Sequence, residues 1–215
     1  MAYNLCQIGE HLMYKSIYNF PYERANITFP WVYWDGAFSE EEIAKIINQF
    51  DNNSMEDSTI VGSTSQSETE RVRRSKINFF GYDDTTSWIF MRFNDVIEKL
   101  NDRFYNYSLN GYEKIQYTVY DAQYEGKYDW HQDMIHGPNS MPDTRKLTVC
   151  MNLTEPNVDY QGGEFQIQLG TEPDTINITK GRIVAFPSYI LHRVSPLSQG
   201  VRKSLVIWVT GPKFV

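Results

Sequence analysis

Cysteine is nearly absent. The 215-residue chain has two, Cys6 and Cys150, with no CxxC pair and no Cys-His spacing. Zinc ribbons, zinc fingers and thioredoxin-type motifs are thereby excluded, and a reduced, cytoplasmic-type compartment is expected. Basic charge is also short, with 20 Lys+Arg against 27 Asp+Glu and a formal net charge of -7. A broad electrostatic grip on nucleic-acid backbones is therefore not expected. No apolar run approaches the roughly 18 to 20 residues that a membrane span needs. The opening MAYNLCQIGEHLMY has no basic head followed by an apolar stretch, so a non-exported protein working away from membranes is expected. Internal repeats and coiled-coil heptads are missing too. What remains is 41% apolar and 15% aromatic, enough for one substantial core, and a single domain over residues 1–215 is expected.

Two segments carry helical periodicity. Ser39 followed by Glu42 reads as a capping box ahead of Ile43, Ile46, Ile47 and Phe50, which predicts a helix over about 40–51. Ile89, Phe93, Val96, Ile97, Leu100 and Phe104 share one side of a longer helix over 86–104. Between them, 51–70 is rich in Asn, Ser, Thr and acidic residues and reads as a long loop of the kind that covers sites. From Gly111 the pattern turns to short runs rich in Tyr, Val, Ile and Thr, at 114–121, 127–133, 145–153, 163–169, 175–178, 182–186, 190–195 and 202–210. Turn residues such as Gly162-Gly163, Lys180-Gly181 and Gln199-Gly200 separate some of them. The expected architecture is mainly β with supporting α: helical support and a cover loop in 1–110, then a barrel or double-sheet jelly roll in 111–215. The helices buttress one sheet because their apolar faces have no other partner of sufficient area.

Only four histidines are present. In Trp130-His131-Gln132-Asp133, strand geometry puts His131 and Asp133 on one face. A second histidine follows in Phe186-Pro187-Ser188-Tyr189-Ile190-Leu191-His192, and Arg202 lies beyond it. Two imidazoles and one carboxylate on a rigid barrel hold Fe(II) with three positions open, enough for a bidentate cosubstrate and dioxygen. Arg202 offers a planar fork for the far carboxylate of a dicarboxylic cosubstrate. Parity agrees: Leu147, Val149, Met151 and Leu153 form an apolar face, leaving Thr148, Cys150 and Asn152 on a polar one, while Arg202, Ser204, Val206 and Trp208 share a face. Beside these, His136 reads as a rim residue because a fourth protein ligand would block an open position. Cys150 reads first as a small buried hydrophobe, with a cavity-lining thiol as the alternative. The basic run Arg71, Arg73, Arg74 and Lys76 reads first as a solvated strand edge, the alternative being a draw for an acidic substrate or nucleic-acid backbone. Tyr14, Tyr18, Phe20 and Tyr22 read as a substrate platform or as aromatics packed across a sheet or a subunit contact.

The ordered series His131-Gln132-Asp133, Arg145-Lys146-Leu147-Thr148, Gly162-Gly163-Glu164-Phe165, Lys180-Gly181-Arg182, Phe186-Pro187-Ser188, His192 and Gly200-Val201-Arg202-Lys203-Ser204 resembles the Fe(II)/2-oxoglutarate dioxygenases of the prolyl 4-hydroxylase type, including bacterial and phage PKHD-type hydroxylases. The resemblance covers about residues 113–211. It implies a double-stranded β-helix with iron held by His131, Asp133 and His192, and 2-oxoglutarate chelating the iron and salt-bridged at its distal end by Arg202. It also implies a cosubstrate-binding tyrosine before the HxD pair, for which Tyr120 is the first candidate and Tyr124 the next. Family members often carry another such tyrosine on the strand after Arg145; here that position is Asn152, leaving Thr148 or Asn152 as the substitute donor. The implied reaction uses O2 to hydroxylate a protein or peptide, typically at proline, with succinate and CO2 as coproducts and ascorbate as a reductant. A carboxylate at 133 favours hydroxylation over halogenation. The same chemistry on a free amino acid, another small metabolite or a nucleobase is the alternative, and a silent jelly-roll binding module is the reading from another class. Residues 51–70 and 136–144 are expected to cover the site, and a phage origin would place the protein in the host cytoplasm.

Overall fold

The computed structural model describes residues 29–51, 53–60, 65–134 and 144–213. Tyr14, Tyr18, Phe20, Tyr22 and the His136 segment lie outside the described residues. Strands and helices are numbered along the chain. The larger sheet runs, in spatial order, β1 (Val32–Trp34), β11 (Ile183–Pro187), β7 (Thr144–Asn152), β13 (Leu197–Gly211), β5 (Ile115–Asp121), β4 (Lys76–Phe80) and β2 (Glu56–Asp57), with β8 (Tyr160–Gly162) paired to β13. The smaller sheet runs β10 (Pro173–Thr175), β9 (Phe165–Gln168), β12 (Leu191–Val194), β6 (Lys127–His131) and β3 (Arg73–Arg74). All the pairings between these strands are antiparallel.

Helix α1 (Glu40–Asp51) begins with the capping box: Glu42 N donates to Ser39 Oγ at 3.2 Å, and Ser39 N donates to a Glu42 carboxylate oxygen at 2.9 Å. Two of the orphan amide donors of the helix start are satisfied in this way. Helix α3 (Ser87–Leu100) continues into a π turn, Asn101–Tyr105, which ends at left-handed Asn106. The Asn101 side chain holds this end, donating to Tyr107 O and accepting from Tyr107 N, both at 2.9 Å. Ile43, Ile46 and Phe50 of α1 and Ile89, Phe93, Val96 and Leu100 of α3 pack with Leu147, Val149, Met151, Leu205, Ile207 and Val209 of the larger sheet. Each such fully buried side chain contributes about 1.5–3 kcal/mol of transfer free energy. The helices therefore fix the larger sheet from behind. A second apolar cluster, including Tyr120, Phe165, Ile167, Val184, Phe186, Val194 and Leu197, fills the space between the sheets. The fold is thus the double-stranded β-helix backed by helices.

The local departures have physical causes. Within 51–70, expected as loop, β2 pairs with β4, and residues from 66 onward form helix α2 (Gln66–Val72), capped by Ser65 accepting from Glu68 N at 3.2 Å. Helix α2 buries only Thr69, so it has no apolar stripe for periodicity to detect. The strand expected at 175–178 lies at 173–175, because Ile176 and Ile178 leave the edge to pack between the sheets. Strand β13 starts earlier than expected because its first residues pair with β8. Gly200 has φ +72° there, and a Cβ would strike the Asp159 carbonyl. Only glycine suits that close antiparallel approach.

Candidate metal centre

A register shift builds the site. His192 on β12 pairs with His131 on β6, but Val194 pairs with Tyr128, so three steps along β6 oppose two along β12. The extra residue is a β-bulge, which re-aims side chains that simple alternation would send to opposite faces. Tyr128 consequently lies flat on His131, ring centroids 3.4 Å apart and planes 13° from parallel. Asp133, just past β6, is fixed by the turn before β12: Asp133 N and Met134 N both donate to Ser188 O at 2.9 Å, and Ile190 N donates to Pro187 O at 2.9 Å.

His131 Nδ1 lies 2.7 Å from Asp129 O, and His192 Nδ1 lies 2.9 Å from Ile190 O. A carbonyl only accepts, so each Nδ1 carries the proton and each Nε2 presents a lone pair. These Nε2 atoms face the Asp133 carboxylate, His131 at 3.7 Å from Oδ1 and His192 at 3.4 Å from Oδ2. All three ligand atoms lie within 4.8 Å of one another. Converging lone pairs repel unless a cation sits among them. Metal bonds of about 2.0–2.2 Å bring adjacent donors about 3 Å apart at right angles, so the set needs only slight closure around one divalent ion. Fixing the outer ring nitrogen on a carbonyl is how proteins orient metal-ligating histidines.

Asp133 Oδ2 accepts from Thr148 Oγ1 at 2.8 Å, and Thr148 Oγ1 lies 3.0 Å from Ser188 Oγ. The Thr148 proton goes to the carboxylate, so Ser188 donates to Thr148 in a relay ending on Asp133. Burial pushes the Asp133 carboxyl up, but the positive charge that His192 and His131 carry in their protonated forms, together with the Thr148 bond, outweighs it and holds it well below the usual carboxylate range. Burial, then neighbouring His192, push His131 down to about 3. Near neutrality the pair is an ionised carboxylate and a neutral imidazole, the states a metal requires.

The three side chains open onto a small cavity walled also by Arg73, Gln116, Tyr120, Tyr128, Cys150, Phe165, Val194, Arg202, Ser204, Val206 and Trp208. Arg202, Ser204, Val206 and Trp208 thus share the face that parity assigned. Arg202 is 4% exposed, its Nε has no hydrogen-bond partner among the described residues, and its Cζ lies 5.5 Å from the Tyr120 ring centroid. A buried N–H without a partner on a charged group is costly, and an anionic ligand carboxylate relieves it. Tyr120 reaches the cavity, whereas Tyr124 donates to Val119 O at 3.2 Å and is not in the wall.

Four expectations need correction. Thr148 is not in the cavity wall; its hydroxyl is engaged by Asp133. Asn152 is not in the wall either, since its amide donates to Thr154 O at 2.5 Å and to the Tyr160 hydroxyl at 3.3 Å. Cys150 lines the cavity rather than merely filling core, with burial raising its thiol to about 12. Arg73 is no solvated edge: it is 6% exposed, with its Cζ 4.5 Å from the Tyr128 ring centroid. Arg74 matches the edge reading better, pairing with exposed Glu125 at 2.5 Å. The one sequence signal that separates Arg73 from Arg74 is its shared parity with buried Ser75. Arg145 also went unassigned; its Cζ lies 4.2 Å from the Trp208 ring centroid, and its Nη1 donates to Asp133 O at 3.4 Å.

Residues 115–210 match the model of the 2OG-Fe(II) oxygenase superfamily. Among curated relatives, a PKHD-type hydroxylase of Synechococcus sp. (strain CC9902) is 38% identical over 82 residues, covering 38% of this chain and 35% of that protein. Another, from Alteromonas mediterranea, is 32% identical over 85 residues, covering 38% of this chain and 37% of that protein. The aligned stretch therefore spans little more than a third of these relatives' length. Among solved structures, a Pseudomonas putida prolyl-4-hydroxylase superposes with TM-score 0.66 at 16% identity, covering 86% of this chain and 94% of its own. A Trichoplax adhaerens prolyl hydroxylase, solved with a hypoxia inducible factor oxygen degradation domain peptide fragment, gives TM-score 0.67 at 21% identity, covering 84% and 83%.

Proposed function

We propose that the chain, whose residues 115–210 match the model of the 2OG-Fe(II) oxygenase superfamily, works as a member of that superfamily and hydroxylates a prolyl residue of a protein or peptide. Fe(II) and 2-oxoglutarate are the required cofactor and cosubstrate, O2 is consumed, and succinate and CO2 are released. The observation that carries this reading is the convergence of two Nε2 lone pairs and one ionised carboxylate in a cavity walled also by Arg202, whose buried Nε has no partner among the described residues. Iron and 2-oxoglutarate together, when bound, supply the oxidising power for an unactivated C–H bond, with ascorbate keeping the iron ferrous.

The protein's share is binding, orientation and electrostatics. His131 and His192 ligate through Nε2 with their tautomers set by Asp129 O and Ile190 O. Asp133 ligates through a carboxylate that Thr148 and Ser188 hold in place. Arg202 takes the distal carboxylate of 2-oxoglutarate by charge-assisted hydrogen bonds, and Tyr120 lies beside that end. Phe165, Val194, Val206 and Trp208 give the cavity an apolar wall that limits water. The prolyl peptide assignment is supported by the PKHD-type relatives and by the peptide in the Trichoplax neighbour. The test is aerobic turnover on an amidated proline-containing peptide library with Fe(II), 2-oxoglutarate and ascorbate. Succinate coupled to a +16 mass shift on proline is expected; coupled hydroxylation confined to free amino acids or nucleobases would overturn the substrate class.

A further inference from the structure

Arg73 is a second buried cation that the reading above leaves without a role. It and Arg202 are 6% and 4% exposed and wall the same small cavity. Arg73 sits on β3 opposite Tyr128, with its guanidinium laid over that ring, and Arg202 sits on β13 opposite Tyr120. Arg73 Nε donates to Ser75 Oγ at 2.9 Å, which leaves the Nη edge for another partner. No carboxylate of the described residues forms an ion pair with either arginine. Asp133, the carboxylate in the wall, is committed to the histidines and Thr148. Both charges also oppose the upward push of burial at the Tyr120 phenol, in keeping with their place in one cavity wall.

Two guanidinium groups in one enclosed space repel each other, and burial weakens the screening that would otherwise hide this. A carboxylate between them, accepting from both forks, turns the repulsion into two charge-assisted contacts. We propose that Arg73 is a second anchor for the distal carboxylate of the 2-oxo acid, acting with Arg202 from the wall of the same cavity. The assignment rests on 2-oxoglutarate being the cosubstrate. It makes Arg73 a specificity residue, confining the site to dicarboxylic 2-oxo acids more strictly than one arginine does.

The test is calorimetric titration of the Mn(II)-loaded full chain, in which no turnover intervenes, with 2-oxoglutarate and with 2-oxobutyrate, which keeps the oxo-acid end but lacks the distal carboxylate. Arg73→Gln should weaken 2-oxoglutarate about 10- to 100-fold, the loss expected for a hydrogen bond to a charged group, while 2-oxobutyrate affinity moves by less than about twofold. Arg73→Lys should fall between, because it keeps charge but not the fork. Unchanged 2-oxoglutarate affinity in Arg73→Gln would overturn the assignment and turn Arg73 toward the substrate instead. Equal weakening of both acids would also overturn it, as a general field or folding effect. If the unmutated Mn(II) protein takes up no 2-oxoglutarate, the cosubstrate reading itself fails, a result distinct from both.

Discussion

Replacing Thr148 by Val tests whether this side chain serves the metal or the cosubstrate. Thr148 is fully buried, and valine matches its shape while removing the hydroxyl. Two bonds go at once: the 2.8 Å donation to Asp133 Oδ2 and the 3.0 Å acceptance from Ser188. The first is a hydrogen bond to a charged group worth about 1.5–3 kcal/mol, and the second leaves a buried Ser188 hydroxyl unsatisfied at a cost of about 1–3 kcal/mol. Loss of such a partner behind a metal ligand lowers metal affinity about 10- to 100-fold. The Asp133 carboxyl, held below its ordinary 3.8, contributes stability that is present above that value and lost as pH falls toward the depressed one. Thr148→Val therefore also reduces the stability difference between neutral and acidic solution. Mn(II) affinity by calorimetry and urea unfolding across pH read both effects, and Thr148→Ser should restore the metal affinity. The reasoning is refuted if Mn(II) affinity is unchanged while 2-oxoglutarate binding to the metal-saturated variant weakens, because Thr148 would then contact the cosubstrate itself.

Other consequences are equally direct. Leu147→Ala, at a fully buried position behind β7, should lower unfolding free energy by about 2–5 kcal/mol, read from denaturant midpoints at unchanged slope. Ser65→Ala removes the α2 cap and should cost about 1 kcal/mol with Mn(II) affinity unaltered; a loss of metal binding would show that α2 positions the ligands. In a Cys6→Ser background, the Cys150 thiol, raised to about 12 by burial, should alkylate slowly and without the rate increase between pH 7 and 9 that a free thiol near 8.5 shows. Urea should restore ordinary reactivity, and a fast native rate would contradict the burial of this group.

Much of the site was legible because its chemistry lies on long strands. His131, Asp133, His192 and Arg202 come together as read, and the alternation along β7 and β13 separates the helix-packed face from the cavity face. Alternation reports the face, however, and not the height along the strand. Asn152 shares parity with Cys150 yet meets Tyr160 beyond the cavity, and Thr148 is intercepted by Asp133. The tyrosine before the HxD pair was left between Tyr120 and Tyr124 because no sequence signal marks where β5 stops; it ends at Asp121, and Tyr124 falls in the 3-10 turn that follows. Arg73 was read with its neighbours as a solvated edge because a two-residue strand carries no readable period. Its burial follows from the long-range pairing of β3 with β6. Helix α2 stayed hidden because its one start signal, Ser65 ahead of Glu68, precedes no apolar stripe.

The most direct measurement is anaerobic titration with Fe(II), followed by 2-oxoglutarate, of the unmutated chain beside Asp133→Ala and His192→Ala. One equivalent of iron should bind, with a visible charge-transfer band developing on addition of 2-oxoglutarate, and both variants should lose iron and band together. Iron bound equally well by all three proteins would contradict the metal centre.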